Sequence, residues 1–85
     1  QFGVRCAKVC LIEANVISNN SGIGVSIPKP GSSILGNTIS YNGTYGVSAD
    51  ALTSFGNNAI VGNSLGSTTE AMQPLHPNVC FPQAC

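Results

Sequence analysis

Apolar and polar positions alternate along this chain in short runs, and the runs recur. The clearest is Ile34-Leu35-Gly36-Asn37-Thr38-Ile39-Ser40-Tyr41-Asn42, which reduces to I-x-x-N-x-I-x-x-N. The same template lies one repeat earlier at Ile12, Asn15, Ile17 and Asn20, and one repeat later at Phe55, Asn58, Ile60 and Asn63. Successive copies are offset by 22 residues (Ile12 to Ile34) and 21 residues (Ile34 to Phe55). A second pattern keeps the same period: Phe2-Gly3-Val4, Ile23-Gly24-Val25 and Tyr45-Gly46-Val47. A fixed period near 20 residues is the sequence mark of a solenoid, in which each repeat is one coil stacked on its neighbour.

The alternation Phe2, Val4, Cys6 places these side chains on one strand face and turns Gly3 and Arg5 to solvent. Stacking the equivalent strands gives a core column Val4, Val25, Val47. The second and third strands of each coil give the columns Ile12, Ile34, Phe55 and Ile17, Ile39, Ile60. Asn15, Asn37 and Asn58 fall between the second and third strands, and Asn20, Asn42 and Asn63 follow the third. Asparagine tolerates a left-handed backbone, and its amide satisfies backbone groups at a turn. At a strand spacing of about 4.8 Å, each amide also reaches the next, so the six are predicted to form two structural ladders. Between the first and second strands the repeat is least regular. Pro28 and Pro30 remove ladder donors there, so residues 28–33 are predicted to form a loop, the place where variable chemistry would collect.

After Asn63 the pattern fades. Leu65-Gly66 begins a fourth coil that is expected to remain incomplete. Residues 67–73 read as an N-cap followed by helix formers and stopped by Pro74, which predicts a helical turn or two over the open end. The tail from Leu75 has no period and is expected to be irregular, held by disulfides or by Leu75, Val79 and Phe81. The predicted organisation is therefore coils over residues 1–66 and a cap with a cysteine-bearing tail over residues 67–85.

Charge changes this picture only by exclusion. Three basic residues face three acidic ones in 85 residues, for a formal net charge of zero. Such a chain has no electrostatic footprint for nucleic acid, and the lack of net charge eases self-association. No apolar run approaches the length of a membrane span. Four cysteines in so short a chain point to an oxidising, extracellular or cell-surface setting, with Cys6, Cys10, Cys80 and Cys85 as disulfide candidates in any of three connectivities. A zinc site with His76 is the alternative, but neither cysteine pair has the spacing of a zinc knuckle. Haem attachment is excluded because Leu11, not histidine, follows Cys10. No metal or cofactor is predicted. Asn19 and Asn42 both match the glycosylation sequon; Asn19 is the candidate, since a glycan on Asn42 would break its ladder. Lys8 and Lys29 occupy equivalent positions and form at most a short basic stripe.

The spacing I-x-x-N-x-I-x-x-N, joined to an apolar-Gly-Val strand, resembles the right-handed parallel β-helix repeat of pectate-lyase-like proteins over residues 2–63. The resemblance implies an all-β fold of about three coils of 21–22 residues, wound as three parallel sheets with asparagine at the corners, followed by the irregular C-terminal cap. The family includes polysaccharide lyases and hydrolases, adhesins and structural repeat proteins, so the fold does not fix a function. Family lyase sites cluster aspartates with a basic residue on the outer face of one sheet. Here no two of Glu13, Asp50 and Glu70 fall in one column or an adjacent one, and no family catalytic residue carries over.

The expectation is therefore a non-enzymatic, structural β-solenoid subunit outside the cell that stacks coil end to coil end into a fibre or coat, with its own copies as partners. The alternative is the C-terminal part of a larger polysaccharide-active enzyme or adhesin of the pectate-lyase-like fold, with polysaccharide as partner. In that case Gln1, already inside the first repeat, marks a processed or truncated end.

Overall fold

In the computed structural model, which describes residues 2–85, the chain forms twelve short strands and no helix among the described residues. They are β1 Val4–Arg5, β2 Leu11–Glu13, β3 Val16–Ser18, β4 Val25–Ile27, β5 Ser33–Leu35, β6 Thr38–Ser40, β7 Tyr45–Ala49, β8 Ser54–Gly56, β9 Ala59–Val61, β10 Gly66–Thr68, β11 Gln73–Pro74 and β12 Val79–Phe81. Each strand pairs in parallel with the one a full coil away, giving three four-stranded sheets ordered β1-β4-β7-β10, β2-β5-β8-β11 and β3-β6-β9-β12. The chain is a parallel β-helix of four turns.

The register follows the repeat. Val4, Val25 and Val47 stand opposite one another, as do Ile12, Ile34 and Phe55, and Ile17, Ile39 and Ile60. In the second and third sheets the middle residue of each three-residue strand points inward, whereas β4 of the first sheet buries its first and third residues, Val25 and Ile27. Val25, Ile34, Ile39, Val47 and Ile60 are completely buried. β-branched residues suit these positions because the pleat accommodates their restricted χ1 without further loss of rotamer freedom.

The structure departs from the sequence reading in three places. First, residues 67–81 wind a complete fourth coil, with no helical turn in it. Ser67 lies within β10, and Thr69 N–H bonds to the Val47 carbonyl at 3.0 Å. A helix of seven residues stopped by Pro74 would be too short to hold itself, whereas the edge of β7 offers ready backbone partners. Second, the tail is regular: β12 pairs with β9 from Val79 to Phe81, and Leu75, Val79 and Phe81 are exposed and not packed inward. Third, the glycine of the apolar-Gly-Val strand faces the core. A Cβ placed on Gly24 would lie 2.8 Å from Ile39 Cγ2 and 2.8 Å from Asn42 Nδ2, and one on Gly46 would lie 2.6 Å from Ile60 Cγ2. The chain bends into the first sheet here, so glycine and the following valine both pass inside, and only glycine fits beside the isoleucine column.

Candidate functional site

The corners carry the most regular polar chemistry of the molecule. In the first ladder, Asn15, Asn37 and Asn58 each donate from both backbone N–H and Nδ2 to the Oδ1 of the asparagine one coil further on, at 2.9–3.3 Å. The last acceptor is Asn78, which the fourth coil adds to the row. The second ladder runs Asn20 to Asn42 to Asn63 in the same sense, at 2.9–3.1 Å. The amides also reach backwards. Asn37, Asn42, Asn58 and Asn63 donate from Nδ2 to the carbonyls of Ile12, Ile17, Ile34 and Ile39, at 2.9–3.2 Å. These four asparagines are buried, and the network pairs polar groups that would otherwise be costly inside.

The left-handed backbone falls one residue before each ladder asparagine, not on it. Ala14, Gly36 and Asn57 precede the first ladder with φ of 57°, 67° and 56°. Asn19, Tyr41 and Gly62 precede the second with φ of 59°, 54° and 69°. A single left-handed residue turns the corner and leaves the next side chain pointing along the stack.

The four cysteines form two local bridges, Cys6–Cys10 and Cys80–Cys85, with Cα separations of 6.4 and 5.6 Å. Cys6 occupies the inward column of Ile27 and Ala49, and Cys80 that of Ile39 and Ile60. A half-cystine thus replaces an aliphatic core residue in the first coil and another in the last.

The two ends differ. At the first coil, Asn15 and Asn20 donate along their ladders, but no described residue donates to either Oδ1. At the fourth, the core opens into a mouth of about 390 Å³ lined by Phe55, Met72, Pro74, Asn78 and Cys85 among others. In the second ladder, the place twenty residues after Asn63 is Gln83, the same offset that relates Asn58 to Asn78. The Gln83 carbonyl accepts a hydrogen bond from Ser67 Oγ at 2.6 Å.

Other candidates scatter. Asp50 and Glu70, placed apart by the sequence reading, line one shallow cavity of about 270 Å³ with Ser26 and Ser48, because the fourth coil brings Glu70 beside the third. The Asp50 carboxylate is engaged in its own turn, accepting from Leu52 N–H at 2.9 Å. Lys8, Lys29 and His76 are exposed. Asn19 is exposed at a corner, whereas Asn42 is fully buried. Sequence alone could have given the fourth coil from Asn78, which keeps the corner asparagine when every apolar signal around it has changed.

Fold and corners together define a parallel β-helix built on asparagine ladders, a scaffold class in which the repeat itself is the most elaborate polar feature. The chain belongs to the NosD family, described as periplasmic copper-binding protein, whose family model matches residues 3–75. Comparison with curated proteins and with solved structures gives no match.

Proposed function

We propose that this chain is a structural, non-enzymatic β-helix unit outside the cytoplasm, and that its first coil is a surface on which a further parallel coil stacks. One observation carries the reading: both ladders reach the first coil with an Oδ1, on Asn15 and on Asn20, that accepts nothing from the described residues. A coil docked in register would supply backbone N–H and Nδ2 donors to both. The two disulfides and the family's periplasmic description support the location.

The incoming coil has two sources. A second copy of the chain would give a fibre or coat, meeting the first coil with the face on which Asn78, the last acceptor of the first ladder, stands. The other source is a longer β-helix protein of which this chain is one part, such as a polysaccharide-active enzyme or an adhesin.

Copper has no place in this proposal. Copper takes thiolate, thioether and imidazole donors. Here every cysteine is in a disulfide, Met72 is buried and His76 exposed, and the described residues gather no group of three His, Cys, Asp or Glu able to hold a metal ion. The donor set does not fit a copper centre.

The test is a variant carrying a second copy of residues 23–43 ahead of Gln1, which sets new asparagines over Asn15 and Asn20. Repeat stability adds coil by coil, so its Tm should rise by about 5 °C or more. The same added coil with alanine at both ladder positions should give a clearly smaller rise. An unchanged Tm on adding the intact coil would count against the reading.

A further inference from the structure

We infer that stacking is one-ended: the first coil takes a parallel coil bearing asparagine at both corners, and the fourth coil refuses one, so the partner is not a second copy of this chain. This rests on the stacking role proposed above and decides between its two sources.

The ladders have a direction. Each asparagine donates to the Oδ1 of the coil that follows it in sequence. A face that exposes the first coil therefore presents acceptors, and a face that exposes the last presents donors. The first-coil face is complete in this respect, with Asn15 and Asn20 both in place. Its strands lie in residues 2–21, which contain no proline. Its charged side chains Arg5, Lys8 and Glu13 are exposed.

The opposite face is not its complement. Asn78 ends one ladder correctly, but Gln83 stands where the second ladder needs asparagine, and the Asn63 side chain donates back to the Ile39 carbonyl and not forward to Gln83. In sheet β2-β5-β8-β11, Gln73 and Leu75 direct their N–H groups back to Thr53 and Phe55 of the third coil. The residue between them therefore faces outward along the stack. That residue is Pro74, which has no N–H to offer. Pro82 follows β12 directly, where the chain leaves its sheet. Prolines on an exposed edge are a standard way to stop further pairing. Cys85, tied to Cys80, lines the mouth where the core column of an incoming coil would enter. The partner that fits the first coil is a coil that keeps both corner asparagines and an unblocked edge, as the second and third coils of this chain do.

Sedimentation velocity on the native, disulfide-intact chain across a wide concentration range is the direct test. We expect a monomer throughout; dimers or filaments of the native chain would overturn the inference. The double variant Pro74→Val, Gln83→Asn restores the missing donor and the second ladder. It should show concentration-dependent, open-ended association, and if it stays as monomeric as the native chain the refusal is not encoded in these residues. The stacking role itself is judged separately, by the Tm of the variant with the added coil. Native self-association beside a raised Tm sinks only the one-ended inference, whereas an unchanged Tm sinks the role.

Discussion

Asn58 Oδ1 accepts two hydrogen bonds from Asn37, one from its backbone N–H at 2.9 Å and one from Nδ2 at 3.0 Å. Asn37 Nδ2 also donates to the Ile12 carbonyl at 2.9 Å, so this one amide ties three consecutive coils together.

Replacing that amide tests how far the ladder holds the stack. Asn37→Ala leaves the Ile12 carbonyl and the Asn15 N–H without their partner in a buried corner. Each orphaned buried group costs about 1–3 kcal/mol, so the variant should lose about 3 kcal/mol in urea unfolding. Asn15→Ala keeps its backbone N–H bond and removes only the Nδ2 donations to Asn37 Oδ1 and the Glu13 carbonyl at an exposed corner, and should lose about 1 kcal/mol. Equal losses at the two positions would mean that burial, and not the ladder, sets the cost.

The glycine column predicts a steric cost of similar size with no hydrogen bond removed from any side chain. A Cβ on Gly46 would lie 2.6 Å from Ile60 Cγ2, 2.8 Å from Asn63 Nδ2 and 2.9 Å from the Ser67 carbonyl oxygen. Two of these neighbours are fixed by the next coil's ladder and backbone, so the strand must move. Gly46→Ala should cost about 1–3 kcal/mol by overpacking, read as a shift of the urea midpoint. A neutral result would show that the corner relaxes freely.

Gly36 isolates the backbone contribution. Its φ is 67°, and a Cβ there would meet nothing within 4 Å. Gly36→Ala therefore adds only the left-handed penalty, about 1 kcal/mol, for a fall of about 4–8 °C in Tm. Gly36→Asn should fall less, because Asn19 and Asn57 already hold the same conformation at equivalent corners. Gly62 is a harder case, since the Tyr41 ring lies where its Cβ would go.

These corners show where the sequence was legible. Ile, Val and Asn at a fixed period place three aliphatic core columns and both ladders through the first three coils, because inward residues and corner amides are constrained from two neighbouring coils at once. The fourth coil was hidden by substitutions at its repeat positions. Ser67 follows Gly46 in the core-facing glycine position, Pro74 stands opposite Phe55 in the Ile12 and Ile34 column, and Cys80 stands opposite Ile60. Each reads as a broken repeat, yet each is tolerated at an edge: Pro74 faces no partner with its nitrogen, and Ser67 finds the Gln83 carbonyl. Strict alternation also misplaced Gly3, Gly24 and Gly46, since a bend lets two successive residues enter the core. The left-handed residue one place before each asparagine left no mark in the sequence, because alanine, glycine, asparagine and tyrosine all fill it.

The disulfides give the last prediction. Both bridges close short local loops, Cys6 to Cys10 and Cys80 to Cys85, one in the first coil and one in the last. Peptide mapping of unreduced protein should recover these two pairs and no bridge between the ends. Closing a loop of about five residues stabilises by about 2 kcal/mol, so Cys80→Ser with Cys85→Ser should lower unfolding stability by about that amount. Cys6→Ser with Cys10→Ser should cost more, because Cys6 is 6% exposed in a core column whereas Cys85 is exposed. Reducing both bridges would then remove about 4 kcal/mol from a domain whose total stability falls in the usual range of about 5–15 kcal/mol. The reduced chain should melt at a markedly lower temperature, and it should do so without losing the ladder bonds of the middle coils first. Hydrogen exchange would show this as protection of Asn37 and Asn42 N–H outlasting that of coils one and four. If all four coils lose protection together on reduction, the bridges act on the whole stack and not as locks on its ends.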